Sequence, residues 1–100
     1  MESVLAQRTT FAVEILIGED CSTDSTLSIA RRYEAEYPER VRVITSAENV
    51  GWRKNYRRTI AAARGRYIAM LDGDDMFIDD DKLQQQVDML EGDASLGMCY

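Results

Sequence analysis

Val13-Glu14-Ile15-Leu16-Ile17-Gly18-Glu19-Asp20-Cys21-Ser22-Thr23-Asp24-Ser25 is the stretch on which the fold turns. Residues 13–17 are short, apolar and β-branched at Val13, Ile15 and Ile17, so they read as a strand, and Gly18 ends it. A polar loop follows. Asp24 or Ser25 is then placed to cap a helix on which Leu27, Ala30, Tyr33 and Tyr37 share one face. Pro38 closes that helix, because the residue before a proline is pushed out of the helical region. A second β-branched run at residues 41–45 completes a strand–helix–strand unit.

Outward from this unit the alternation continues. Residues 52–63 form a second helix with Tyr56, Ile60 and Ala63 aligned. Residues 67–71 are an unbroken apolar run, the pattern of a strand covered on both faces. Residues 82–91 make a third long helix, with Leu83, Val87 and Leu90 at spacings of four and three. Residues 2–7 give a short helical piece, and residues 96–100 have the character of another strand. Strands alternating with helices at these intervals define an α/β chain with a parallel, Rossmann-like sheet flanked by helices. In such sheets ligands bind beyond the carboxyl ends of the strands. The three loops that follow the strands are therefore the candidate site.

The bulk numbers narrow the function. One hundred residues, 45% hydrophobic and 30% charged, suit one small globular domain and exclude a disordered chain. Cys21 and Cys99 are too few for a disulfide scaffold and lack metal-finger spacing. No apolar run reaches membrane length, and no basic segment leads into an apolar one at the start, so a cytoplasmic setting is expected. Attachment to the cytoplasmic face of a membrane would need further chain. The net charge of -6 opposes nucleic-acid binding, even though Trp52 and Tyr56 lie among basic residues. The charge is nevertheless patterned. Arg53, Lys54, Arg57, Arg58, Arg64 and Arg66 are half of the basic residues with no acid among them, and Asp72, Asp74, Asp75, Asp79, Asp80 and Asp81 follow. That order suits an anion held together with a divalent cation, and equally two solvated faces.

Each loop offers specific chemistry. In the first, Glu19 and Asp20 can accept hydrogen bonds from a base or ribose, or simply make the turn; Ser22 and Asp24 suit the helix start. In the second, Asn49-Val50-Gly51 is a glycine turn opening a helix, whose free N–H groups and dipole favour a phosphate. Arg53 and Lys54 in that first turn are unfavourable for the helix itself, a local cost that points to function. In the third, Asp72, Asp74 and Asp75 crowd three carboxylates into four residues, which repel one another unless a cation sits among them. Oxygen-only donors suit magnesium or manganese. An EF-hand register, a Walker lysine motif and a G-x-G-x-x-G are all absent. Asp79, Asp80 and Asp81 fit a solvated turn capping the next helix.

At these residues the chain resembles the family 2 glycosyltransferases, which have the GT-A fold. The likeness runs through Glu14-Ile15-Leu16-Ile17-Gly18-Glu19-Asp20-Cys21-Ser22-Thr23-Asp24-Ser25-Thr26, where the family shows a strand and then Asp-Asp-Gly-Ser-Thr-Asp-Gly-Thr. It continues through Asn49-Val50-Gly51 and Lys54-Asn55, and ends in residues 63–75, where the family's strand leads into its Asp-x-Asp motif. The resemblance implies that residues 1–100 form a single, partial nucleotide-sugar-binding domain. Glu19 falls at the Asp that contacts the base, Asp20 beside the nucleoside, and Lys54 at a basic residue near the nucleotide. It also implies that Asp72 approaches the ribose or metal and that Asp74 coordinates Mn2+ or Mg2+ bridging the diphosphate. The donor would be a nucleotide-diphospho-sugar, a UDP-sugar foremost. The sugar would pass to an acceptor hydroxyl on a saccharide, lipid or protein, with inversion.

Two departures accompany the likeness. The family's opening strand has no counterpart before residue 13, which would leave a gap in the sheet between residues 13–17 and 67–71 and expose edges for self-association. No residue matches the family's general base, so no catalytic residue is expected in this stretch and the stretch alone is not expected to transfer sugar. The alternative is a catalytically inactive, truncated domain acting as an interaction or oligomerisation module.

Overall fold

The computed structural model describes residues 1–21, 25–71, 76–77 and 79–92. Its elements are α1 (Glu2–Leu5), β1 (Ile15–Gly18), α2 (Thr26–Glu36), β2 (Val41–Ile44), α3 (Trp52–Ala61) and α4 (Lys82–Gly92). The chain divides into two compact units, Val13–Ile68 and Met1–Ala12 with Ala69–Tyr100.

The unit Val13–Ile68 holds the strand–helix–strand arrangement expected from the sequence. β1 and β2 pair in parallel, with Ile15 opposite Val41 and Gly18 opposite Ile44. α2 starts at Ser25, which caps it without a side-chain bond, and it ends at Tyr37 ahead of Pro38. Ala30 on its inward face, Ile15, Val41 and Val43 are buried. These small and β-branched side chains let helix and sheet approach closely.

The two borders of the sheet differ. A parallel ladder turns alternate N–H groups outward, and on β2 both outward donors are satisfied within the unit. Val41 N–H donates to Tyr37 O at 2.8 Å, and Val43 N–H donates to Glu34 Oε2 at 2.6 Å. The Val43 N–H and the Arg31 guanidinium at 2.8 Å outweigh burial and hold the Glu34 carboxyl below its usual value. On β1 the ladder turns the N–H groups of Leu16 and Gly18 to the other border, where no bond reaches them among the described residues.

In the second unit, Gln7 joins two stretches distant in sequence. Its Nε2 donates to Asp79 O at 2.7 Å, and its Oε1 accepts the Leu83 N–H at 2.9 Å, satisfying an otherwise orphan donor of α4's first turn. Phe77 and Leu83 are buried there, with the Lys82 ammonium 4.8 Å from the Phe77 ring centroid. Asp79 Oδ1 accepts the Asp81 N–H at 2.8 Å, and Asp81 takes a two-pronged bond from Arg8 at 3.0 and 3.1 Å. That bond lowers the Asp81 pKa. Asp79 and Asp81 thus form the turn before a helix, as their pattern suggests.

Two expectations are corrected. Residues 67–71 form no ladder among the described residues, and Ile68 and Met70 are 53% and 63% exposed. An apolar run can become a strand only beside another strand, and none stands there among the described residues. On α3 the aligned Tyr56, Ile60 and Ala63 make only part of the inward side: Tyr56 is 45% exposed, Ile60 and Ala63 are half-buried, and Asn55, Arg58 and Thr59, also half-buried, turn inward beside them. Residues 96–100 lie outside the described residues.

Candidate functional site

Gly18 ends β1 beneath α3. A Cβ there would collide with Thr59 Oγ1 and stand 3.3 Å from Asn55 Nδ2 and Thr59 Cβ, so the helix can rest on the strand end only because residue 18 has no side chain. The polar underside of α3 then meets the next carbonyl. Arg58 Nη2 donates to Glu19 O at 2.8 Å, while Asn55 Oδ1 accepts from Arg58 Nε and Nη2 at 3.1 and 2.8 Å. These bonds fix the rotation of α3 over the loop.

Glu19 is 2% exposed and its carboxylate points inward. Oε2 accepts from Thr45 Oγ1 at 2.7 Å and from the Cys21 N–H at 3.1 Å, tying the first loop to the end of β2. Asp20 ties it to the second loop. Its Oδ1 accepts the Val50 N–H at 2.7 Å and its Oδ2 the Gly51 N–H at 3.0 Å. Asn49 Nδ2 donates to Asp20 O at 2.9 Å, and Asn49 Oδ1 also accepts the Gly51 N–H at 3.1 Å. Glu19, Asp20, Asn49 and Gly51 are therefore one bonded cluster at the carboxyl ends of β1 and β2.

Two backbone positions in this cluster are unusual. Gly51 has φ 88° and ψ 154°, a region open essentially to glycine alone, and it is the N-cap of α3. Cys21 has φ 53°, the left-handed region that non-glycine residues seldom enter. It occupies the glycine position of the Asp-Asp-Gly pattern, and its Sγ donates to Ala47 O at 3.4 Å.

α3 opens on this cluster with no side-chain cap and no acid in its first turn. Its first N–H groups and the positive end of its dipole are the elements of an anion site. Lys54 is exposed, and the Arg53 guanidinium lies 5.3 Å from the ring centroid of Trp52, itself 72% exposed. Asp72 and Asp74, with Asp75, Ser22 and Asp24, lie outside the described residues. Among the described residues no group of three metal-ligating side chains comes together. Arg58, Thr45 and Gly18 hold the loops and were not legible as site residues; for Arg58 the available signal is its i, i+3 spacing from Asn55.

The cavity lined by Glu14, Arg40, Arg42 and Arg64 lies at the other end of the strands, around the start of β2. Burial raises the Glu14 pKa, but bonds from the Arg64 side chain and N–H, with the charges of Arg64 and Arg42, outweigh it and leave that pKa lowered. The Glu14 ion pairs with Arg42 and Arg64 make this cluster at the amino ends a structural joint. The loop cluster remains the candidate site.

Comparison with known sequences shows the family. The family description Glycosyl transferase family 2 matches residues 1–100. An uncharacterized protein of Mycobacterium tuberculosis is 39% identical over 100 residues, covering all of this chain and 29% of the relative. An uncharacterized glycosyltransferase, YibD, of Escherichia coli K12 is 43% identical over 75 residues, 75% of this chain and 21% of the relative. Chondroitin synthase of Escherichia coli is 38% identical over 100 residues, all of this chain and 14% of that protein. No solved structure matches. The chain belongs to glycosyl transferase family 2, and it spans less than a third of the length of these relatives.

Proposed function

We propose that this chain is the donor-binding part of a glycosyltransferase. It holds a nucleotide-diphospho-sugar, a UDP-sugar foremost, together with a divalent metal, and the complete enzyme passes the sugar to an acceptor hydroxyl with inversion. The observation that carries the reading is the cluster at the strand ends. There two loops are bonded to each other at the uncapped start of α3, where a diphosphate finds free N–H groups and the Lys54 charge. Glu19, Asp20, Asn49, Gly51, Lys54 and Asp72 are the residues of the donor site.

Asp74 and Asp72 hold the metal. Two carboxylates are hard oxygen donors, the set that magnesium or manganese takes beside substrate phosphates. Bound there, the ion would stabilise negative charge on the departing nucleoside diphosphate. Lys54 and the α3 N–H groups orient the phosphates. The general base is assigned to none of these residues.

Thermal unfolding with manganese, with uridine diphosphate and with both tests the proposal. A ligand present at one hundred times its Kd adds about 2.7 kcal/mol to the folded state. The melting temperature is expected to rise only with both present, and Asp74→Ala is expected to remove the rise. A rise without metal, or an undiminished rise in Asp74→Ala, would refute the reading.

The Leu16 and Gly18 N–H groups of β1, unbonded among the described residues, favour a second reading, an interaction module that pairs strand to strand with another chain. A single monomeric peak across a hundredfold concentration range in size-exclusion chromatography would exclude it.

A further inference from the structure

The Asp20 carboxylate meets two successive main-chain N–H groups of the other loop, one on each oxygen: Val50 at 2.7 Å and Gly51 at 3.0 Å. The link runs both ways, because Asn49 Nδ2 donates to the Asp20 carbonyl at 2.9 Å. Hydrogen bonds to an ionised acceptor are the short and strong ones, and two in parallel also set direction. They fall on the residue before Gly51 and on Gly51 itself, immediately ahead of α3. Gly51 is in a conformation that only glycine adopts easily, and because glycine also has many alternatives open to it, bonds from outside the turn can select this one. Asp20 supplies those bonds, and Asn49 Oδ1 adds a local bond to the Gly51 N–H at 3.1 Å.

We infer that Asp20 is a positioning residue, which prepares the donor site by locking the glycine turn ahead of α3. The inference rests on the donor-site reading and refines it. With the Val50 and Gly51 N–H groups already engaged, the donors left for a phosphate are those of the first turn of α3, from Trp52 onward, beside Lys54. The phosphate contact thus moves from the glycine turn onto the helix. Glu19 cooperates from the other side: its inward carboxylate holds Cys21 and Thr45, and its carbonyl receives Arg58, so the loop bearing Asp20 is itself fixed.

Amide hydrogen exchange and proton chemical shifts read this lock without any ligand. In the wild-type chain the Val50 and Gly51 amides are expected to exchange slowly and to resonate downfield, as donors to a carboxylate do. In Asp20→Ala both are expected to exchange at least about tenfold faster and to move upfield, and uridine diphosphate with manganese to bind about tenfold more weakly. Asp20→Asn keeps the side chain's size and one acceptor, so it is expected to retain one of the two signals and to bind at an intermediate level. Should Asp20→Ala fail to fold, the wild-type and Asp20→Asn measurements decide alone. Unprotected Val50 and Gly51 amides in the wild type would overturn the inference. So would unchanged amides in an Asp20→Ala chain that has lost nucleotide binding, because Asp20 would then act by direct contact. A wild type with protected amides that binds no nucleotide would instead refute the donor reading and leave the lock standing.

Discussion

Replacing Gly18 by alanine tests whether the docking of α3 on the strand end controls this unit. The new Cβ would collide with Thr59 Oγ1 and stand 3.3 Å from both Thr59 Cβ and Asn55 Nδ2. Gly18 is not in the left-handed region, so alanine brings no backbone strain and recovers about 0.5–1 kcal/mol of chain entropy. Overpacking of this kind costs about 1–3 kcal/mol, because Thr59 is held on α3 by its bond to Asn55 O at 2.7 Å and cannot swing aside freely. The net loss is expected to be about 1–2 kcal/mol. Thr59→Ala removes the colliding oxygen and leaves space for the methyl group. Urea denaturation of wild type, both single variants and the double variant closes a cycle. The expected result is strong non-additivity: Gly18→Ala destabilises the wild type and is nearly neutral in the Thr59→Ala background. A Gly18→Ala chain as stable as the wild type, or one equally destabilised in both backgrounds, would refute this account of how α3 is seated.

Three further outcomes follow from the same geometry. Cys21→Gly is expected to stabilise the chain by about 0.5–1 kcal/mol, a few degrees in Tm, because it relieves a φ of 53° at the loss of one weak Sγ–H bond; calorimetry reads it. Gly51→Ala is expected to cost about 1–3 kcal/mol purely as backbone strain, since nothing among the described residues lies within 4 Å of the added Cβ, and circular-dichroism melts check it. Glu14, Glu34 and Asp81 all have depressed pKa values, so the stability they confer is present above the ordinary carboxyl range and is lost as pH falls through the lowered values. Melting temperatures measured downward from pH 5 are expected to fall, and Glu34→Gln to flatten that slope while keeping an acceptor for Val43.

The sequence displayed most of the secondary structure, for reasons that can be traced. β1, α2 and β2 are legible because β-branched runs, a cap residue and Pro38 agree on their limits. Residues 67–71 are not, because an apolar pattern reports a capacity for burial and says nothing of whether a neighbouring strand is there to use it. The inward side of α3 is only partly legible, for a different reason. Apolar spacing selects Tyr56, Ile60 and Ala63, of which Tyr56 is exposed, and the ground beneath the helix includes a glycine and a carbonyl, which call for Asn55, Arg58 and Thr59 as well. In the candidate site the glycine turn is plain in the sequence, while the Asp20 link is hidden, because its partners are main-chain N–H groups that every residue but proline carries.

α3 buries no residue fully; Asn55 and Thr59 rest against Gly18, and hydrogen bonds tie the helix down from Arg58 to Glu19 O and from Arg42 to Ala62 O. Apolar contacts are tolerant of sliding, whereas hydrogen bonds weaken steeply within a fraction of an ångström or a few tens of degrees. A helix held in this way has one seat and little gradient leading to it: it is either in register or released as a piece. α3 is therefore expected to open ahead of the β1–β2 ladder and α2, in the manner of a low-stability cooperative unit. An anion at its first turn would then do more than occupy a site: it would act as a latch, raising the opening free energy of this one helix well ahead of the rest of the unit.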